Sequence, residues 1–246
     1  MYSCQMEYCS LNPEFININR IMGPFKHLPK PNLPTLKAQT LPNGRRFYTT
    51  PEGNKYPSVT TVLGDKDKPW LTEWRNSLGP EKADKETKRA AERGDAVHKL
   101  AEYYLNNQLT SEITRPYKPE HVNWFNKVKL FLNKADNIRT QETALYSDIL
   151  KVAGRVDCIG EYEGILSIID FKTSTNSKVK EMIEDYYLQC AGYALMWEEQ
   201  TGEHIDDIVI IMSVEKGMGP LIFKEKVHKY ISPLMERIRQ YYKDHK

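Results

Sequence analysis

Gly154-Arg155-Val156-Asp157-Cys158-Ile159-Gly160-Glu161-Tyr162-Glu163-Gly164-Ile165-Leu166-Ser167-Ile168-Ile169-Asp170-Phe171-Lys172 decides how this chain is read. Two apolar runs flank the turn pair Glu163-Gly164, the pattern of two strands joined by a tight hairpin. The hairpin folds Asp157 back toward Asp170. Successive side chains of a strand point to opposite faces, so Asp170 and Lys172 share one face while Phe171 turns the other way into apolar packing. Two carboxylates and an ammonium converge at what reads as a strand end.

Those residue types suit a metal site that handles phosphate. Mg²⁺ and Mn²⁺ take hard oxygen ligands in octahedral geometry and keep several waters, so one or two carboxylates plus a substrate phosphate form a sufficient cage. Asp157 and Asp170 would supply it, with the Phe171 carbonyl as a further ligand. Lys172 would orient an attacking water and offset charge that develops in the transition state. The triplet alone reads equally well as a surface salt-bridge cluster, and a second Asp-x-Lys, Asp244-His245-Lys246, stands in a charged tail with no such context. Downstream, Met182 to Trp197 has helical periodicity. Gln189 and Tyr193, four apart, share a helix face there, placed to hold a phosphate, to brace Lys172, or simply to edge an amphipathic helix. Upstream, Lys82 to Asn106 reads as a long helix whose apolar stripe joins Ala91, Gly94, Val97, Ala101 and Leu105 with His98. A histidine in such a stripe is either a hydrogen-bonded core residue or a ligand, and the missing side chain at Gly94 leaves room for a close approach.

Gly94-x-x-x-His98, Glu142 at the head of a strand, Gly154-x-x-Asp157, Asp170-Phe171-Lys172-Thr173-Ser174 and Gln189-x-x-x-Tyr193 together resemble the RecB-like exonuclease branch of the PD-(D/E)XK nucleases. Pro57-Ser58-Val59-Thr60-Thr61-Val62-Leu63 extends the likeness to the mitochondrial genome maintenance exonuclease group with its phage and bacterial relatives. The resemblance runs from about Tyr56 to about Val214. It implies an α/β fold, a central mixed β-sheet flanked by helices. It implies a metal held by His98, Asp157, Asp170 and the Phe171 carbonyl, and Lys172 serving the attacking water. Gln189 and Tyr193 would contact the scissile region, and Glu142 would either sit near the metal or fix the fold around it. Ser58, Thr60, Thr61, Arg155, Thr173 and Ser174 are candidates for holding nucleic-acid phosphates, with plain helix capping the alternative at Ser58. The implied activity is Mg²⁺- or Mn²⁺-dependent hydrolysis of DNA, from the ends of single strands. The alternatives are a duplex-processing recombination exonuclease, a structure-selective endonuclease, or a catalytically silent DNA-binding module.

The rest of the chain sets bounds. Its 246 residues, 40% hydrophobic, can bury a sizeable core. We read residues 1–50 as an N-terminal arm, Pro-rich over 23–43, and a hairpin turning at Asn43-Gly44, with a single nuclease domain over 51–246. A net charge of +2 leaves room only for a local basic path, with Lys127, Lys129, Lys134, Lys178, Lys180, Lys224, Lys226, Arg237 and Arg239 beside Arg155 as candidate sources. Trp70, Trp74, Tyr103, Tyr104, Tyr186 and Tyr187 are candidate stacking platforms, most of them expected in the core. Related nucleases that carry an iron–sulfur cluster place three cysteines after the nuclease core. Here Cys4, Cys9, Cys158 and Cys190 have no successor, so no cluster is expected. Glu7 and Glu14 precede the first arginine, Arg20, which argues against a secretory or mitochondrial leader. A cytoplasmic enzyme of a bacterium or phage-infected cell is the expectation, with DNA as partner and no membrane span.

Overall fold

A computed structural model describes residues 24–66, 69–217 and 219–245, without the side chain of Trp70. Cys4, Glu7, Cys9, Glu14, Arg20 and Lys246 lie outside the described residues. Strands β1 (Lys37–Thr40), β2 (Arg46–Thr49) and β3 (Lys55–Pro57) form a small antiparallel sheet, followed by α1 (Val59–Gly64), α2 (Pro69–Leu78) and α3 (Pro80–Leu105). The short α4 (Ser111–Thr114) and α5 (Pro119–Leu132) lead into β4 (Ala135–Ser147), β5 (Val152–Tyr162) and β6 (Ile165–Asn176). A 3-10 turn then enters α6 (Glu184–Thr201), and β7 (Asp207–Lys216), β8 (Leu221–Lys226) and α7 (His228–Asp244) complete the chain.

The main sheet has the order β4-β5-β6-β7-β8, with β6 and β7 parallel and the other pairs antiparallel. A parallel pair needs a crossover, and α6 provides it. Helices cover both faces. On one, α1, α6 and α7 bury Val59, Leu188, Trp197 and Leu234 against Ile168, Ile208 and Ile210. On the other, α3 and α5 bury Val97, Leu100, Phe125 and Val128 against Ile169, Phe171, Val209 and Ile211. Burial from both sides is why β7 reads as the unbroken apolar run Ile208-Val209-Ile210-Ile211-Met212. Cys158 and Cys190 are free and fully buried within these layers. Burial pushes both thiols up, so they act as small apolar fillers.

Several expected boundaries move. β4 begins at Ala135, so Glu142 lies inside a strand instead of at its head. β4 is an edge strand, and an edge tolerates the polar run Asp136-Asn137-Ile138-Arg139-Thr140-Gln141 that hides it from pattern reading. β6 was expected to end at Lys172 and continues to Asn176, because β7 pairs with it as far as Asn176 opposite Lys216. Asp170 and Lys172 are therefore interior, not terminal. In α3 the buried stripe is Ala96, Val97, Leu100, Ala101 and Leu105 with Arg93, while Ala91 is exposed. The arm is a strap: Phe25 N–H donates to Asn107 Oδ1 at 2.7 Å, Lys26 N–H to Asp136 Oδ1 at 2.8 Å, and His27 bridges Ile138.

Candidate active site

β5 and β6 pair from Tyr162 with Ile165 to Cys158 with Ile169 and then diverge, β5 continuing along β4 and β6 along β7. The first residues beyond the last shared pair are Asp157 and Asp170. With the ladder gone, Asp157 itself accepts the Phe171 N–H, at Oδ2 and 2.8 Å. The carboxylate is thereby tied to the backbone of β6. α3 packs on β6 and brings His98 Nδ1 to 3.4 Å from Asp157 Oδ1. The β4–β5 register, Gln141 with Cys158 and Thr143 with Val156, sets Glu142 across from Asp157. Glu142 has φ of 47°, a left-handed conformation that L side chains resist. Ligand atoms of His98, Glu142 and Asp157 all lie within 4.8 Å of one another.

Asp170 is almost fully buried. The Lys172 ammonium is in ion-pair contact with its Oδ2, yet neither carboxylate oxygen accepts a hydrogen bond of good geometry. Burial pushes the Asp170 carboxyl up to about 6, Lys172 opposing and Asp157 adding to the rise. Burial alone would lift Asp157 too, but His98, Lys172 and the Phe171 N–H outweigh it and hold this carboxyl below the usual range. The His98 imidazole loses solvation by burial, and Asp157 more than restores its charge, raising it to about 9. Lys172 is raised well above an ordinary lysine: burial works against its charge, and Asp170 and Asp157 prevail. Glu142 is raised by burial and by Asp157.

This donor set fits a divalent cation. Two carboxylates and one imidazole converge, Asp170 follows Asp157 at the fork, and a buried carboxylate such as Asp170, held by one ammonium and no hydrogen bond of good geometry, gains from a second cation. Hard oxygens with a single nitrogen suit Mg²⁺ or Mn²⁺. Of the two places the sequence leaves open for Glu142, near the metal or in the surrounding fold, its ligand atom groups with those of His98 and Asp157.

The Gln-x-x-x-Tyr face of α6 turns toward the same cleft. Gln189 Nε2 donates to the Tyr193 hydroxyl at 2.8 Å. A Cβ at Gly154 would stand 2.6 Å from Tyr193 Cε1, so the glycine of Gly154-x-x-Asp157 is the seat of the Tyr193 ring. Gly94 has a looser role: a Cβ there would meet Thr173 Oγ1 at an ordinary 3.9 Å.

The candidate phosphate-binding residues fare unequally. Ser58 is buried and caps α1, accepting the Thr61 N–H at 3.0 Å, while Thr61 Oγ1 bonds the Arg46 backbone. Thr60 is exposed. Ser174 Oγ donates inward to the Asn176 carbonyl at 2.7 Å. Thr173 Oγ1 accepts from Arg93 Nε at 3.3 Å. Arg155 is half exposed at the cleft, 3.8 Å from Glu142. Of the other candidate cations, Lys134 and Lys224 pair with Glu163, Lys180 with Glu225, Lys226 with Asp207, Arg237 with Asp185 and Arg239 with Glu236. These six are locally neutralised, while Lys127 donates to the Val214 carbonyl and Lys129 lies over the Tyr104 ring.

Two residues near the cleft escaped the sequence reading as site members. Arg93 is buried with its guanidinium 4.1 Å over Trp124. Tyr186, noted only as a stacking aromatic, has its ring 5.0 Å from Lys172 Nζ. Its place three residues before Gln189 on one helix face was the available signal.

Among curated proteins, the chain is 28% identical over 151 residues to Mitochondrial genome maintenance exonuclease 1 of Mus musculus, covering 57% of this chain and 44% of that protein. Against the Homo sapiens protein of the same name it is 30% identical over 133 residues, covering 51% and 38%. The chain thus spans less than half the length of these relatives. A crystal structure of a provisionally assigned exonuclease from Eubacterium rectale aligns over 62% of this chain and 66% of that chain, with 12% identity and a TM-score of 0.40. The family profile of the PD-(D/E)XK nuclease superfamily matches residues 70–244. That span runs from α2 through α7 and takes in every residue of the cleft where β5 and β6 part, and the chain belongs to the PD-(D/E)XK nuclease superfamily.

Proposed function

We propose that the protein is a deoxyribonuclease that requires Mg²⁺ or Mn²⁺ and removes nucleotides from the ends of single-stranded DNA. The observation that carries this reading is the buried pair Asp157 and Asp170 at the β5–β6 fork, with Lys172 against one acid and His98 against the other. The names of the mouse and human relatives point the same way.

Asp157, Asp170, His98 and Glu142, with the Phe171 carbonyl, would hold the ion. When bound, it supplies a Lewis acid for the phosphoryl oxygen and acidifies a coordinated water. Lys172 would orient the attacking water and offset charge that develops at the phosphoryl group. The Gln189–Tyr193 pair lies against the scissile region, and Arg155, Thr60 and Thr173 meet backbone phosphates. Ser58, Thr61 and Ser174 support the site from within.

The preference for single strands with free ends rests on the long α3, which carries His98 over the fork and Tyr103 beyond it, with Lys99 5.0 Å from the Tyr103 ring. A strand that must pass beneath a helix to reach the acids needs an end, and a few stacking and cationic groups suffice to hold it. Digestion of end-labelled linear single strands, covalently closed single-stranded circles and blunt duplexes, each with Mn²⁺, Mg²⁺ or chelator, tests this. Linear strands should disappear fastest, circles should persist, and chelator should stop the reaction. Rapid loss of circles would assign an endonuclease, and faster loss of blunt duplex a duplex-processing exonuclease.

A further inference from the structure

We infer that Tyr186 is a positioning residue for Lys172, its ring face holding the ammonium in place when Asp170 is engaged by a divalent ion. The inference rests on the nuclease reading above and adds a residue to it.

Lysine is a point charge on a flexible four-carbon stem, and a water-orienting role requires that the charge be aimed. The Lys172 side chain is 16% exposed, with the Asp170 carboxylate against its ammonium and the Tyr186 ring 5.0 Å away. These two contacts differ in what they can offer a loaded site. Asp170 is also a proposed metal ligand, and a carboxylate bound to a dication is a poorer partner for an ammonium. A ring face attracts a cation through its quadrupole and has no affinity for a hard dication in water, so it keeps its hold on Lys172 whatever Asp170 does.

The helix fixes the ring's placement. Tyr186, Gln189 and Tyr193 are spaced three and four apart on α6, so the face that presents the Gln189–Tyr193 pair also presents Tyr186. The next residue, Tyr187, is fully buried and stacks on Tyr230 of α7 with ring centroids 4.9 Å apart. That contact sets the rotation of the helix and keeps Tyr186 turned to Lys172.

The test pairs a readout on the metal-free protein with one on turnover. In protein carrying ¹³C-labelled lysine, the ε-methylene protons of Lys172, identified by their loss in Lys172→Arg, should be shifted upfield by the ring current. Tyr186→Leu should abolish the shift and Tyr186→Phe should preserve it. With Mn²⁺ and a labelled single strand, Tyr186→Leu should lower kcat about tenfold with KM within about twofold, as expected for loss of a partly buried cation–π contact, while Tyr186→Phe recovers to within about threefold. An unshifted ε-methylene in the parent overturns the inference. So does a Phe variant as slow as Leu, which would assign the hydroxyl, or a defect confined to KM, which would assign a substrate contact. Absence of cleavage by the parent with the ring-current shift intact would instead sink the nuclease reading, and the positioning role with it.

Discussion

Asp170 and Lys172 lie in the interior of β6, and that depth alters what substitutions there should do. At a strand end, removing either would cost little stability. In a buried pair, removing one partner leaves the other charged and desolvated, a penalty of about 3 kcal/mol. Lys172→Met should therefore abolish cleavage and lower the melting temperature at pH 8. Near pH 5 most of that loss should vanish, because Asp170, already raised to about 6, rises further without its lysine and becomes neutral. Asp170→Asn should also be inactive, and circular dichroism should show the parent's fold in both. His98 runs on a different schedule. Its folded value of about 9 lies above the unfolded 6.5, so its bond to Asp157 stabilises the metal-free protein fully below pH 6.5 and is lost as pH rises through 9. The loss amounts to something on the order of 3 kcal/mol. Melting temperatures of the metal-free protein should fall between pH 7 and pH 9.5, and His98→Gln should flatten the curve. Ligation requires neutral imidazole, so Mn²⁺ binding at pH 7.5 should release about one proton from His98. Calorimetry in buffers of different ionisation enthalpy measures that number, and a value unchanged by His98→Gln would remove His98 from the ligand set.

At the scale of elements, β5 and α6 meet where Gly154 accepts the Tyr193 ring. Gly154→Ala must push that ring aside and disturb its bond from Gln189, for a stability loss of about 1–3 kcal/mol, the range for overpacking a close contact, and a larger fall in cleavage. Combined with Tyr193→Ala, the same alanine should do little further harm. A double-mutant cycle with no coupling energy would contradict the assignment. The helices carrying His98 and the Gln189–Tyr193 pair, and the β5–β6 hairpin, were legible in sequence because the helices are long runs with only an isolated glycine each against them and Glu163-Gly164 marks the turn. The acids' separation along a hairpin was enough to bring them together. What stayed hidden depends on partners distant in sequence: the polar first half of β4, the extension of β6 through Thr173-Ser174-Thr175-Asn176 on the ladder of β7, and the register that sets Glu142 opposite Asp157. Polar strands look like loops until the neighbour that pairs with them is known.

For the whole molecule, charge decides how the substrate is gripped. Most of the candidate basic residues are paired with carboxylates, so a bound strand can displace few counterions. The slope of log affinity against log salt for a single strand should be shallow, on the order of −2 to −3, as for three or four phosphate contacts. Fluorescence anisotropy with a catalytically dead variant measures it, and a slope beyond about −5 would demand a basic track.

As a proposed metal ligand, Glu142 sets the needs of the molecule as a folded object against its needs as a catalyst. Its backbone sits at φ 47° and its carboxylate is pushed upward by burial and by Asp157. Glycine there would relax the first strain and asparagine would ease both. Heat resistance and catalysis therefore pull this position in opposite directions. A library of variants sorted only for survival at high temperature should enrich glycine and asparagine at 142 and return well-folded proteins that no longer cut, whereas alternating rounds of heat and DNA digestion should restore the glutamate.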